Sequence, residues 1–249
     1  MKKIGIVGGV AWRSTVDYYS ELCRRSEEWY LARNSQAVPS IPEISIESLD
    51  LSKAVSYLGT DDDEKSWRQF DEYHRAALQR LEASGAEFAV IASNSPHHRF
   101  ETIVRGIRIP VISILDAVAK ESVRIGAAQV LILGTPLTMS SPKFREAFAK
   151  HGVEAAGPRD DAARTMTEEL INELQLGNVK GAAEQLGKIV RISHKPQSKA
   201  PLAVCLACTE LPLAFQEQQM LATFDYDGIR FINSSAAHVE AAFDFAVDG

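Results

Sequence analysis

The chain has 249 residues, 45% of them hydrophobic and 24% charged, with a formal net charge of −6. That is the composition of a globular protein with a sizeable core, and with no basic stripe in view nucleic acid is not expected as a partner. Glycine breaks the N-terminal run Met1-Lys2-Lys3-Ile4-Gly5 too early for a signal peptide, no apolar run approaches the roughly 20 residues of a membrane helix, and three cysteines do not suggest a disulfide framework, so a reducing cytoplasm is the expected setting.

In chain order, residues 3–7 are an apolar run that predicts a first strand. Gly8-Gly9 follows. A helix is then expected from Ser14 or Thr15, either of which can cap it, to about Ala32, with Val16, Tyr19, Leu22 and Cys23 at helical spacing. Strand, glycine loop, helix is the opening of a parallel α/β unit. Gly5-x-x-Gly8-Gly9 lacks the spacing of the dinucleotide fingerprint. The glycines either make a tight turn or let the backbone approach a ligand.

After the breaker Pro39-Ser40-Ile41-Pro42, residues 43–49 read as a second strand. Asp61-Asp62-Asp63-Glu64 reads as an acidic helix start, favoured by the helix dipole, because adjacent carboxylates do not converge on one metal ion. That helix should run to about Ser84, with Gly85 as its stop. Residues 88–92 make a third strand, 96–105 a helix, 110–114 a short strand, and Asp116 can cap the next helix.

The plan then repeats. Residues 129–133 form a strand ending in Gly134-Thr135, and helices are expected over about 141–151, 163–176 and 179–192. Lys195-Pro196-Gln197-Ser198-Lys199 is a polar loop. Val204-Cys205-Leu206-Ala207 is a buried strand with Cys208-Thr209-Glu210 at its C-terminal end. Residues 229–232 form a last strand, and Ser234 or Ser235 caps a helix that buries Val239, Ala242 and Phe243.

The fold expected is α/β, with two pseudo-symmetric Rossmann-like lobes, parallel sheets and a cleft between them. The boundaries read as 1–115 with about 215–249 for the N-terminal lobe and 116–214 for the C-terminal lobe. In open α/β sheets ligands bind at the C-terminal strand ends, and two such ends carry chemistry: Ser93-Asn94-Ser95 with His97, and Cys208-Thr209-Glu210.

These residues resemble the aspartate/glutamate racemase family of cofactor-independent amino-acid racemases. The matching segments are Gly8-Gly9-Val10-Ala11-Trp12-x-Ser14-Thr15 with Tyr18-Tyr19, Asn94-Ser95-x-His97, Leu133-Gly134-Thr135-x-x-Thr138-Met139, and Cys208-Thr209-Glu210. They occur in the family's order over nearly the whole chain. The resemblance implies a small amino-acid or carboxylate substrate, no pyridoxal phosphate and, as often in the family, a homodimer; no metal site is expected. It implies two thiols that deprotonate and reprotonate Cα from opposite faces. Without a cofactor as electron sink, fixed donors must stabilise the charge that moves onto the α-carboxylate. The candidates are backbone N–H groups near Asn94-Ser95 and Thr209 and the hydroxyls of Thr15, Ser95, Thr135 and Thr209. Asn94, Thr138, Arg164 and Glu210 complete the substrate-binding set, and His97 is a candidate proton relay. Nearby donors or a helix N-terminus are expected to lower the Cys208 pKa.

The chain departs from the family at Ser93, where a cysteine is usual. A hydroxyl titrates far above a thiol and is a poor base unless another group activates it. Three readings follow. Cys208 takes the proton and Ser93 delivers it, giving a slow or direction-biased racemase. Alternatively, Cys208 works alone, as in the related decarboxylases and maleate isomerases. Or the chain binds a small molecule without turnover. Arg164 lies next to the family's basic position, and Asn233 stands where relatives tend to have Asp. Cys205-x-x-Cys208 has the spacing of a redox or zinc half-site but no second pair, and reads as packing. Glu210 either steers Cys208 or caps the turn that follows. Ser93 itself is either a reacting group or a helix cap.

Overall fold

The computed structural model describes residues 1–34, 38–60, 62–193 and 202–248. The loop expected over 195–199, and Asp61, lie outside the described residues. The chain forms two compact units, Met1–Ser113 with Val239–Gly249, and Ile114–His238.

The first unit contains β1 (Ile4–Gly8), α1 (Trp12–Leu31), β2 (Ile44–Ser48), α2 (Leu51–Ser56), α3 (Arg68–Ala83), β3 (Phe88–Ile91), α4 (Phe100–Ile103) and β4 (Val111–Ile112). Single 3₁₀ turns, Glu64–Trp67 and Ser95–Arg99, lead into α3 and α4. The sheet order is β2-β1-β3-β4, all parallel, with Ile4 beside Phe88 and Ile6 beside Val90. Those four side chains face Tyr18 and Leu22 of α1 and the Val239, Ala242 and Ala246 stretch. Burying each large apolar side chain stabilises the unit by roughly 1.5–3 kcal/mol. The α1 face differs from the expected one. Tyr18 and Leu22 are buried, while Val16 and Tyr19 are exposed and Cys23 is half-buried.

The second unit contains α5 (Ile114–Arg124), β5 (Gln129–Gly134), α6 (Pro136–Ser140), α7 (Pro142–Ala149), β6 (Glu154–Ala156), α8 (Asp161–Gln175), α9 (Ala182–Ser193), β7 (Leu202–Ala207), β8 (Thr223–Tyr226), β9 (Ile229–Asn233) and the start of α10 (Ser234–Val247). Its order is β6-β5-β7-β9-β8, parallel except for β8. The central strands β5 and β7 are buried on both faces, which is why they read as unbroken apolar runs. Leu131, Leu133, Val204 and Leu206 face α8 and α9. Val130, Ile132, Ala203 and Cys205 face α5 and α7.

Without β8, both units have the same order: second, first, third, fourth strand. The chain reverses direction in the sheet between first and third strands, so each unit has its topological switch point there. The expected fold class, mixed α/β with two parallel-sheet lobes, is what the chain adopts. Residues 215–238 belong to the second unit rather than the first, because β9 pairs with β7 and β8 with β9. The β8–β9 turn is Asp227-Gly228, both at positive φ, as a tight hairpin requires.

Candidate functional site

In the first unit the switch point lies between Gly8-Gly9 and the Ser93 loop. Gly9 has φ of +87°, and a Cβ there would meet the Leu49 carbonyl oxygen at 2.1 Å. The Gly9 N–H donates to Thr15 Oγ1 at 2.9 Å, and that hydroxyl donates to Ala11 O at 3.2 Å. Thr15 therefore pins the glycine loop and does not cap α1, whose N-cap is Ala11 with no side-chain hydrogen bond. Ser14 Oγ donates to Ala92 O at 3.2 Å, tying the start of α1 to the end of β3.

Ser93 is 8% exposed. Its hydroxyl makes no hydrogen bond among the described residues, and its backbone carbonyl is engaged by His97 Nδ1 at 2.9 Å. The following turn has Asn94 as N-cap without side-chain capping, so Ser93 is not a helix cap. His97 is fully buried and stacks on Phe100 at 5.2 Å. This position braces the loop. His98 is half-buried against Trp67, with ring centroids 5.2 Å apart.

In the second unit the switch point lies between Gly134-Thr135 and the Cys208 loop. Gly134 pairs with Ala207, and a Cβ on it would come within 2.6 Å of Ala207 O. Thr135 caps α6 by accepting from Thr138 N–H at 3.3 Å, and the two hydroxyls lie 3.1 Å apart. The helix α6 was not anticipated, although Thr135-Pro136 is an N-cap followed by proline, a start signal.

Cys208 is 6% exposed. Its Sγ–H donates to Glu210 Oε2 at 3.1 Å, and Thr209 Oγ1 is 3.0 Å from the same oxygen. Glu210 stands at the N-cap of the Leu211–Ala214 turn without capping it, and its side chain contacts Cys208 instead. The thiol pKa is the reverse of the expectation. Burial, then the Glu210 carboxylate, push it well above its ordinary value, and the backbone N–H groups of Glu210 and Thr209 offset this only in part. Cys205 lies fully buried in β7, pushed up by desolvation alone, as a packing residue would be.

Arg164 is exposed in the first turn of α8, with Nε donating to Pro158 O at 2.7 Å. Among the described residues no hydrogen bond or ion pair joins it to Cys208, Thr209 or Glu210. Asn233 is the actual cap of α10: its Oδ1 accepts from Ser235 and Ala236 N–H at 3.0 and 3.3 Å. Its Nδ2 donates to Gln219 O at 2.6 Å, a bond a carboxylate could not make. Asp116, expected as a cap, lies inside the first turn of α5. Among the described residues there is no cluster of three or more His, Cys, Asp or Glu able to hold a metal, and no helix long and apolar enough to cross a membrane.

An open α/β sheet with hydroxyl, thiol and carboxyl groups gathered at its switch point defines a protein that handles a small molecule there. A model of the Asp/Glu/Hydantoin racemase family matches residues 7–242, and the chain belongs to that family. An aspartate racemase homologue from Pyrococcus horikoshii is 28% identical over 100% of both chains, with a TM-score of 0.76. The fold is shared with the aspartate racemase of Picrophilus torridus (21% identity, TM-score 0.69, covering 98% of this chain and 94% of that one). It is also shared with the glutamate racemase of Campylobacter jejuni (18% identity, TM-score 0.64, covering 98% and 85%).

Proposed function

We propose that the chain is an amino-acid racemase that works without pyridoxal phosphate on aspartate- or glutamate-like substrates. Cys208 is its principal acid and base, and Ser93 serves the second face of Cα. The observation that carries this is the buried Cys208 thiol held by a carboxylate at a switch point, in a member of a racemase family. Removing the Cα proton moves charge onto the α-carboxylate. Preorganised donors lower the cost of that charge, and Asn94, Ser95, Thr135, Thr138 and Thr209 are the donors assigned to it, while Thr15 acts through the glycine loop that it pins. Arg164 is assigned to a side-chain carboxylate. Charge reversal in Arg164→Glu should then abolish dicarboxylate binding, measured by calorimetry, and unchanged affinity would remove the residue from the site.

One-thiol chemistry is the second reading, favoured by the Ser93 hydroxyl, which no described base contacts. A decarboxylase or maleate-type isomerase needs only Cys208. Proton NMR of both enantiomers of aspartate and glutamate in D₂O, with Cys208→Ala alongside, separates the two. Loss of the Cα–H signal with appearance of the opposite enantiomer, dependent on Cys208, is the racemase result. Exchange with retained configuration means that Cys208 acts alone on one face. No exchange with any of the four directs the next assays to malonates and maleate, and tight binding without turnover would mark a sensor.

A further inference from the structure

We propose that Arg99 is a positioning residue for the Ser93 face: its two forks, to Asp71 and to Glu64, fix the loop that presents the Ser93 hydroxyl, and the Cys208 face does not depend on them. This rests on the reading of Ser93 as the group that serves the second face of Cα.

Residues 93–99 run from the end of β3 through one 3₁₀ turn to the start of α4. Close to Ser93 the hold is local. The Ser93 N–H donates to Ile91 O at 2.8 Å, and His97 Nδ1 lies on the Ser93 carbonyl. At the far end the hold comes from α3 and the turn before it. Arg99 Nε and Nη2 donate to Asp71 Oδ1 and Oδ2 at 3.2 and 2.9 Å. Nη1 donates to Glu64 Oε2 at 2.8 Å, and Nη2 also reaches Glu64 Oε1. The guanidinium lies over the Trp67 ring, 5.5 Å from its centroid, and Trp67 is pinned in turn by Nε1 donating to Thr60 O at 3.0 Å. The Arg99 side chain is 11% exposed and that of Asp71 6%. A bidentate fork fixes direction as well as distance, and two forks on one planar guanidinium leave it a single orientation. Farther along, Arg75 of α3 donates to the Thr102 and Ile103 carbonyls. The segment that follows Ser93 is thus hung on α3 by charged side chains.

The corresponding loop of the second unit is held by different physics. Cys208, Leu211 and Phe215 are buried in one apolar cluster with Leu206 and Phe231. The turn closes through Leu211 N–H on Cys208 O at 3.1 Å, and among the described residues no ion pair holds 208–215. Charge therefore places one reacting group and packing the other. Placement matters most for the hydroxyl, which no described base contacts. A misplacement of about 1 Å can cost on the order of 100-fold in rate. Arg99→Lys keeps a cation beside the buried Asp71, so no carboxylate is left uncompensated, but it removes both forks.

Arg99→Lys is compared with Glu64→Gln, which removes only the fork to the exposed carboxylate. The first readout needs no substrate. In a Ser93→Cys background, iodoacetamide alkylation is followed by peptide mass spectrometry. Arg99→Lys should change the alkylation rate at position 93 at least about threefold and leave that of Cys208 within about 1.5-fold. The second readout uses the Ser93 protein with aspartate and glutamate in D₂O. Arg99→Lys should lower the kcat for inversion at least about tenfold with KM within about threefold, while exchange with retained configuration, which needs Cys208 alone, stays within about twofold. Glu64→Gln should give the same selective pattern at smaller size, and it carries the test if Arg99→Lys does not fold. Inversion and retained exchange falling together, as general loosening would produce, overturns the proposal. So does an unmoved rate at position 93. If the wild-type protein exchanges none of the amino acids, the racemase reading fails, and the alkylation contrast between positions 93 and 208 decides the anchoring by itself.

Discussion

A thiol and a hydroxyl occupy corresponding positions after the third strand of each unit, and their surroundings differ more than their chemistry alone suggests. Cys208 has an acceptor for its proton in Glu210. The Ser93 hydroxyl has none among the described residues, and the Nδ1 of His97 lies on the Ser93 carbonyl, not on its hydroxyl. An alcohol without a base is a weak nucleophile and a weak base, so the Ser93 face should limit turnover. Ser93→Cys is therefore expected to raise the racemisation rate at least about tenfold while leaving Cys208-dependent exchange within about twofold. Polarimetry and deuterium exchange, run on the same samples, measure the two. Both residues were visible as strand-end clusters in the sequence. The hydrogen bonds that distinguish them were not, because the Cys208–Thr209–Glu210 turn could have aimed its carboxylate at the following backbone just as well.

At the scale of the element, strands were read closely and helix caps poorly. β1, β2, β3, β5, β7 and β9 fall within a residue or two of the strands expected; β1, β3, β5 and β7 are buried on both faces, which leaves a continuous signal. Caps went to the wrong side chains. Thr15 holds the glycine loop, and Asn233, not Ser234 or Ser235, caps α10; Ser234 Oγ instead donates to Leu206 O at 2.8 Å. A cap is a choice among neighbouring hydroxyls and amides that tertiary contacts decide. Short elements were missed outright, among them α2, β6 and β8, although Asp227-Gly228 is a hairpin signal. The glycine loop bears its own prediction. Gly9→Ala combines a positive φ with overlap on the Leu49 backbone, and should destabilise the protein by about 3 kcal/mol. Chemical denaturation, with Gly85→Ala as a control that meets no neighbour within 4 Å, measures the excess over strain alone.

For the molecule as a whole, stability should depend on pH through His74. This imidazole is fully buried on α3, its Nδ1 is 2.9 Å from Phe70 O, and Nε2 has no partner among the described residues. Desolvation lowers its pKa, against smaller opposing contributions from the Phe70 carbonyl and Asp71. The unfolded chain therefore binds a proton near pH 6.5 that the folded chain does not. More protons bound in the unfolded state means stability that is full above about pH 6.5 and is lost as pH falls toward the lowered value. The melting temperature should drop between pH 7 and pH 5, and His74→Gln should flatten that drop; an equal slope in the variant would assign the dependence to other groups.

The apolar runs and glycine turns in the sequence determined that the chain would form parallel α/β units, with the Ser93 and Cys208 clusters at the C-terminal ends of their strands. Alternation and burial are local properties that linear order preserves. Tertiary structure alone decided the strand order, the transfer of 215–238 to the second unit, the exposed flank of α1 and the partner of the Cys208 thiol. Each of these depends on which distant segment supplies a backbone edge, a packing face or a carboxylate, and spacing along the chain does not carry that information.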